Sequence, residues 1–311
     1  MSNFAAIFPG QGAQLIGMGK DVAAQFPAAR DAFQRADAVL GFSLSSLCFE
    51  GPAERLEQTD IQQPAIFATS VALWRAALAT GTIRQDQFSA MGGLSLGEYT
   101  ALHLAGAMSF DDAIRLVHRR GQLMQDASTR FPGGMVSIMG ADEAKVIELC
   151  QSVADKGRVA PANLNCPGQI VISGDKPACE AAAAAVDNIG GKAIVLKVAG
   201  AFHSPLMQTA ADALRSELEK ANITAPRVKV ISNVTCGYHT DPASIRELLV
   251  QQVVSPVRWQ GCCERLIADG FTEFTEVGPN KVLLGLMRKI NRAAKVTNIS
   301  TAAALTPAPA A

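Results

Sequence analysis

The hydrophobic positions alternate between short apolar runs and longer stretches that repeat with helical periodicity. Apolar runs at residues 4–8 and 90–93 predict buried strands. Helices are expected through residues 18–79 and over 96–105 and 110–127. Strands that alternate with helices are typical of an α/β domain built on a parallel sheet. We therefore expect the first part of the chain to form such a domain.

The following segment has a different order of predicted elements, in which strands and helices follow one another as β-α-β-β-α-β. The predicted elements are strands at 135–139, 158–165, 169–173 and 192–198 and helices at 142–154 and 176–188. This order is typical of the split ferredoxin-like unit. We therefore expect a small ferredoxin-like domain, residues 131–198, inserted into a large domain formed by 1–130 and 199–305.

After the insertion the pattern of the large domain resumes. It predicts helices at 204–220, 242–253, 259–268 and 282–289 and strands at 228–233 and 274–277. The last residues, 306–311, are mostly proline and alanine, and we expect a disordered tail there.

Composition narrows the class of protein. The 311 residues carry 28 Lys and Arg against 28 Asp and Glu, so nothing electrostatic favours nucleic acid or a membrane surface as the main partner. Seven cysteines without a C-x-x-C pair argue against a disulfide scaffold or a zinc site and for reduced thiols. We see no signal peptide and no apolar run long enough for a bilayer, so we expect a cytoplasmic protein.

Residues 93–97, Gly-Leu-Ser-Leu-Gly, match the G-x-S-x-G pattern of a nucleophile elbow. Such an elbow holds the serine, here Ser95, on a sharp strand-to-helix turn. Free N–H groups at the start of the following helix then favour a developing oxyanion. On this pattern alone, a tight turn that merely needs glycine stays an alternative.

A second glycine-rich turn, Phe-Pro-Gly-Gln-Gly-Ala-Gln at residues 8–14, follows the first predicted strand. The glycines around Gln11 allow a tight turn and leave bare N–H groups. A phosphate-binding loop is one interpretation, although the Lys-Ser/Thr of a P-loop is missing. A flexible loop is the other, and this segment alone does not separate them.

Histidine is the commonest general base, and the chain has only four candidates: His103, His118, His203 and His239. His203 precedes Ser204 and Pro205, which suit the cap and the first position of a helix. The positive end of a helix dipole opposes protonation, so His203 should stay neutral near pH 7. His103 lies in an apolar helix and suits a packed core position. His118 lies beside two arginines, and His239 lies in a turn-like stretch. A turn residue without a role remains the alternative for His203.

Arg120 lies on the apolar side of the helix predicted at 110–127. The side chains three and four positions away are Leu116, Val117, Leu123 and Met124. A cation in such surroundings must find a partner, and its planar fork suits a carboxylate held by two hydrogen bonds. A structural salt bridge to a nearby Asp or Glu is the alternative.

Six segments, taken in order, are more specific than any one motif. They are FPGQGAQ at 8–14, GLSLGEYTAL at 93–102, RRGQLMQ at 119–125, ANLNCPGQIVISG at 162–174, GAFHSPLM at 200–207 and QQVVSPVRW at 251–259. Together they resemble the malonyl-CoA:acyl carrier protein transacylase family, related to the acyltransferase domains of fatty acid and polyketide synthases. The likeness runs from Phe8 to about residue 290. It implies an α/β-hydrolase-like large domain with the active site in a cleft beside the small domain.

The resemblance also implies a role for each matching residue. Ser95 would be the acylated serine, His203 its base and Arg120 the clamp on the malonyl carboxylate. The backbone N–H groups of Gln11 and Leu96 would form the oxyanion hole.

Further roles follow from the same likeness. The carbonyl of Gln252 would orient the histidine, where a triad has an Asp. Phe202 would favour malonyl over branched methylmalonyl units, and Asn165 would line the cleft from the small domain. Many members have His before the nucleophile, whereas this chain has Leu94, which puts the fine acyl preference in doubt.

The implied reaction moves a malonyl group from malonyl-CoA to the phosphopantetheine thiol of acyl carrier protein through a malonyl-serine intermediate. It would supply fatty acid or polyketide synthesis, with those two substrates as partners, no metal or redox cofactor, and a monomeric enzyme. Two other functions remain open: a serine esterase or thioesterase that passes the acyl group to water, and a non-catalytic relic that only binds carrier protein.

Overall fold

The computed structural model describes residues 3–305, and the tail predicted at 306–311 lies outside them. The strands are β1 (Phe4–Phe8), β2 (Phe88–Gly93), β3 (Gly133–Met139), β4 (Val159–Cys166), β5 (Gln169–Asp175), β6 (Lys192–Val195), β7 (Lys229–Val230), β8 (Glu273–Val277) and β9 (Lys295–Ile299). The helices are α1 (Lys20–Gln25), α2 (Pro27–Leu40), α3 (Leu44–Glu50), α4 (Ala53–Leu56), α5 (Thr59–Ala79), α6 (Leu96–Leu104), α7 (Phe110–Arg130), α8 (Glu143–Ser152), α9 (Lys176–Ala185), α10 (Gln208–Lys220), α11 (Pro242–Val254), α12 (Trp259–Ala268) and α13 (Val282–Ile290).

The larger sheet has five parallel strands in the order β7-β2-β1-β8-β9. Alternate residues of a strand point to opposite faces, and β1 is buried on both. Ala6 and Phe8 pack into a core with α2, α5 and α7, whereas Ala5 and Ile7 pack into a second core with α12 and α13. The predicted α/β class is confirmed, and the sheet is covered by helices on both faces.

The smaller sheet is antiparallel, with the strand order β4-β5-β3-β6. Its elements follow one another as β-α-β-β-α-β, and helices α8 and α9 cover it through a separate apolar core. Strand β4 also contacts the segment before α12, where Leu164 N donates to Val257 O over 2.9 Å. This contact joins the smaller sheet to the large domain directly before α12.

At the edges of the larger sheet, one predicted strand was too long and one strand was missed. The strand predicted at 228–233 is reduced to Lys229–Val230, because the chain then turns back through a hydrogen bond from Ser232 N to Gly237 O of 2.8 Å. Strand β9 was not predicted, since only Ile299 of its five residues is fully buried and the apolar signal is weak. Among residues 3–305 the structure contains no helix that is both long and apolar enough to cross a membrane.

Candidate active site

Ser95 lies on the turn between β2 and α6 with φ 51° and ψ −100°, a conformation that is uncommon for a residue with a Cβ. Both flanking glycines are required by close contact. A Cβ on Gly93 would lie 2.0 Å from the carbonyl carbon of Gly97, and one on Gly97 would lie 2.1 Å from Phe8 O. The G-x-S-x-G pattern therefore packs β2, α6 and the end of β1 tightly enough to hold the serine on a strained turn.

Ser95 and His203 form a hydrogen-bonded pair, although 108 residues separate them in sequence. The distance from Ser95 Oγ to His203 Nε2 is 2.9 Å, and His203 Nδ1 lies 2.7 Å from Gln252 O. A carbonyl oxygen can only accept, so Nδ1 carries the proton and Nε2 is free to accept from the serine hydroxyl. This is the tautomer that a general base for Ser95 needs.

Burial, followed by the charge of Arg120, lowers the pKa of His203 to about 4. The sequence prediction of a neutral histidine assigned that effect to a helix dipole instead. His203 does precede a helical turn, Pro205–Met207, capped by Ser204. The dominant physical cause is nevertheless its removal from water beside a cation.

Arg120 extends from α7 to the buried side of Ser95, and its side chain is fully buried. Its Nη2 donates to Ser95 Oγ over 3.0 Å and to Gln252 Oε1 over 3.0 Å. Its Nη1 donates to Gln63 Oε1 over 2.6 Å. All three acceptors are neutral, so these contacts orient the guanidinium without neutralising its charge.

No Asp or Glu between residues 3 and 305 forms a salt bridge with Arg120. Its Nε has no hydrogen-bond partner among the residues that the structure describes, and its Cζ lies 5.4 Å from the centre of the Tyr99 ring. Burial lowers the pKa of Arg120, which reflects the cost of keeping this cation away from water. The alternative of a structural salt bridge does not hold within the described chain.

The backbone N–H groups of Gln11 and Leu96 are not donated to any acceptor among residues 3–305. Leu96 is the first residue of α6, where a helix leaves its N–H groups unpaired. Gln11 belongs to the loop after β1, and its side chain is anchored by a hydrogen bond to Gln62. These two groups are the candidate donors to an oxyanion.

Sequence reasoning missed a buried carboxylate beneath the site, that of Glu98 on α6. Its Oε2 accepts from Gln252 Nε2 over 2.7 Å and from Asn233 N over 3.0 Å, while its Oε1 lies 2.8 Å from His239 Nε2. Asn233 in turn accepts from Ser95 N over 2.7 Å. Glu98 therefore ties together the segments that carry the nucleophile and the support of its base. The signal for it was an ionisable residue within the apolar start of α6.

A cleft of about 410 Å³ opens above Ser95 and His203, between the two sheets. Gln11, Leu94 and Phe202 line it from the larger domain, and Asn165 lines it from β4. Leu96, Arg120 and Gln252 do not line the cleft and are fully buried behind the serine. The structure thus brings every predicted site residue to this cleft or to the layer directly beneath it.

Comparison with known proteins agrees with this geometry. A family model described as an acyl transferase domain matches residues 6–307, so the chain belongs to the acyl transferase domain family. It is 46% identical over 302 residues, covering 96% of this chain and 94% of the relative, to the malonyl CoA-acyl carrier protein transacylase of Bacillus subtilis. Within the wider family the chain belongs to the malonyl CoA-acyl carrier protein transacylases.

Solved structures give the same result. The acyl-carrier-protein-S-malonyltransferase of Bartonella henselae superposes with a TM-score of 0.94 at 43% identity, covering 98% of this chain and 97% of that one. A malonyl-transacylase solved in complex with its type II PKS acyl carrier protein superposes with a TM-score of 0.93 at 40% identity, covering 97% of each chain. The predicted family is confirmed.

Proposed function

We propose that this chain transfers a malonyl group from malonyl-CoA to the phosphopantetheine thiol of acyl carrier protein, with malonyl-Ser95 as the intermediate. One observation carries the choice of acyl group: Arg120 places a buried cation, whose hydrogen-bond acceptors in the described chain are all neutral, 3.0 Å from Ser95 Oγ. A malonyl group on that oxygen ends in a carboxylate, and malonyl transfer is what the names of the relatives state.

In the first half-reaction, Ser95 Oγ attacks the malonyl thioester carbon while His203 Nε2, 2.9 Å away, takes the hydroxyl proton. The carbonyl electron pair moves onto oxygen, where the N–H groups of Gln11 and Leu96 can stabilise it. When the carbonyl re-forms, the C–S bond breaks and the coenzyme A thiolate takes the proton from His203. The Gln252 carbonyl stabilises the histidinium during this step.

In the second half-reaction, the carrier-protein thiol attacks the malonyl-Ser95 ester. His203 takes the thiol proton and returns it to Ser95 Oγ as the ester C–O bond breaks. The chain's own residues supply the nucleophile, the base and the oxyanion donors, so we propose that no metal or redox cofactor takes part.

Arg120 would hold the malonyl carboxylate through both steps. Its contacts with Gln63 and Gln252 fix the plane of the guanidinium before substrate binds. A pre-oriented fork loses little entropy when it binds an anion, and a buried anion would offset the cost of the buried cation. Phe202, Asn165 and Leu94 line the same cleft and would limit the size of the acyl group.

Hydrolysis is the second candidate function, since the same serine and histidine could serve an esterase or thioesterase. The buried guanidinium disfavours it, because an enzyme that passes acyl groups to water needs no fixed cation beside its nucleophile. Rapid mixing with malonyl-CoA in the absence of a thiol separates the two: a stable malonyl-enzyme supports transfer, and steady release of free malonate supports hydrolysis.

We also propose that the enzyme works as a cytoplasmic monomer. All seven cysteines are free in the structure, and six of them are buried, which suits a reducing compartment. The balanced formal charge favours neither nucleic acid nor a membrane as a partner.

The carrier protein should dock beside α13, since acyl carrier proteins of this family are acidic. The chain's densest basic run, Arg288, Lys289, Arg292 and Lys295, is exposed there, and Leu286 of the same helix lines the cleft. Changing Arg288 and Lys289 to Glu should raise KM for carrier protein by roughly 3- to 10-fold and leave KM for malonyl-CoA unchanged. Steady-state kinetics with each substrate varied in turn measures both constants.

A matched control changes Arg84 and Arg227 to Glu. Both are exposed and lie shortly before strands β2 and β7. They are therefore near the amino ends of these parallel strands, whereas Ser95 follows the carboxyl end of β2. If both pairs raise KM for carrier protein equally, net charge decides the effect and α13 is not the docking surface.

A further inference from the structure

Two cysteines that the proposed mechanism does not use lie side by side behind the nucleophile elbow. Cys236 is on the turn after β7, with φ 54°, and Cys262 is in the first turn of α12. Their sulfur atoms are 3.9 Å apart. The turn is held against α12 by a hydrogen bond from Arg258 N to Asn233 O of 2.9 Å. The packing of this turn against α12 therefore holds the two thiols next to each other.

The two thiols differ in access and in acidity. Cys236 is partly exposed, whereas Cys262 is fully buried. The hydrogen bond from the Cys262 thiol, together with the charge of Arg258, lowers the pKa of Cys236. The same hydrogen bond and burial raise the pKa of Cys262. The accessible thiol is thus the better nucleophile, and its buried neighbour is placed to resolve an oxidised form of it.

We propose that Cys236 and Cys262 form a peroxide-sensitive dithiol that closes to a disulfide. The Cys236 thiolate attacks hydrogen peroxide, so an S–O bond forms, the O–O bond breaks and hydroxide leaves to become water on protonation. Cys262 then attacks the Cys236 sulfenic acid sulfur, so an S–S bond forms and the S–O bond breaks. The departing hydroxide takes the Cys262 proton as the second water. A dithiol reductant reverses the change by thiol–disulfide exchange.

The disulfide would reach the active site through Asn233. The Asn233 side chain accepts from Ser95 N over 2.7 Å, donates to Gly93 O over 2.9 Å and lies 4.0 Å from Cys262 Sγ. Bond formation must bring the sulfurs from 3.9 Å to about 2.04 Å. Cys262 Sγ must then leave its contact with Ser232 O, now 3.3 Å, and the packing around Asn233 changes. Malonyl transfer should therefore fall at least about fivefold in the oxidised protein.

The test begins with the fully reduced enzyme, treated with graded hydrogen peroxide, blocked with N-ethylmaleimide and digested with trypsin. The expected product joins the peptide of residues 230–246, which contains Cys236, to that of 259–265, which contains Cys262 and Cys263. The Cys263→Ser variant should keep the link, and Cys262→Ser should lose it. Cys236→Ser should keep the untreated transfer rate and resist peroxide, and dithiothreitol should restore the oxidised wild type.

Absence of the linked peptides, linkage through Cys263, or conversion of Cys236 only to sulfinic acid would overturn the dithiol site. A linked protein that transfers malonyl at the reduced rate would overturn the coupling through Asn233. The coupling rests on the proposed transfer function, whereas the linked peptides are read by mass and do not. A failure of one is therefore distinguishable from a failure of the other.

Discussion

Replacing His203 with alanine should lower the rate of malonyl transfer by roughly 10²- to 10⁴-fold, the usual cost of losing a general base. The variant keeps Ser95, Arg120 and the two N–H donors, so malonyl-CoA should still bind. Within residues 3–305, no other base can replace His203 at Ser95 Oγ, because the other group bonded to that oxygen is Arg120, a permanent donor. Single-turnover rates of acyl transfer give the measurement.

His118 provides the control. It lies on α7, half-buried, and contacts Gln122 instead of any site residue. His118→Ala should transfer malonyl at close to the wild-type rate. Equal losses in His118→Ala and His203→Ala would indicate damage to folding and would contradict the role of His203 as the general base.

The pH profile gives a second readout of the same role. His203 must be neutral to act as a base, and its pKa is lowered to about 4. Transfer activity is therefore present above the pKa of His203 and is lost as the pH falls through that pKa. The kcat/KM for malonyl-CoA should therefore hold from pH 7 to about 5.5 and fall only as the pH approaches about 4. An acid limb centred near 6.5 would show that the histidine is solvated or less close to Arg120 than the structure places it.

Replacing Arg120 with alanine should change which acyl group the enzyme prefers. Malonyl offers a carboxylate to the buried guanidinium and acetyl does not. Truncating one partner of a buried charge pair costs about 2–5 kcal/mol, and each ~1.4 kcal/mol is tenfold in rate ratio. Malonyl transfer should thus fall roughly 30-fold or more, while acetyl transfer is spared or rises because a buried cation that acetyl cannot pair with is gone. The ratio of specificity constants for the two acyl-CoA substrates measures the change.

Two variants sharpen this result. Arg120→Lys keeps the charge but loses the fork and should rescue malonyl transfer only in part. Arg119→Ala removes the neighbouring arginine, which lies on the exposed face of α7, and should leave the ratio unchanged. If the ratio in Arg120→Ala equals that of the wild type, the arginine serves only to hold Gln63 and Gln252, and the choice of malonyl has another origin.

The features that were readable from sequence are those set by local spacing. The period of apolar residues predicted the order of strands and helices in the smaller sheet and every strand of the larger sheet except β9. The elbow at 93–97 could be found because the serine and both glycines lie within five consecutive residues, and Gly93 packs directly against Gly97. Arg120 stood out because helical spacing placed it among apolar side chains, and the structure confirms that it is buried.

The features that were missed depend on contacts between distant segments. Glu98 meets Asn233 and His239 from 135 and 141 residues away, and no local pattern pairs them. His239 looked like a turn residue, yet it is buried against that carboxylate. The predicted length of β7 was wrong for a related reason. The sequence pattern of a strand continues through Ser232 and Asn233, but these residues leave the sheet, and Asn233 supports the elbow. Spacing cannot show which polar groups a folded core will bring together.

The most direct measurement of the central claim is the intact mass of the protein after brief mixing with malonyl-CoA, without carrier protein. The wild type should gain the mass of one malonyl group on the tryptic peptide of residues 85–115, which contains Ser95, and lose it when phosphopantetheinylated carrier protein is added. Ser95→Ala keeps a Cβ on the same strained turn, so it should fold and gain no mass. A Ser95→Ala protein that still acquires the malonyl group, or a wild type that never does, would contradict the account.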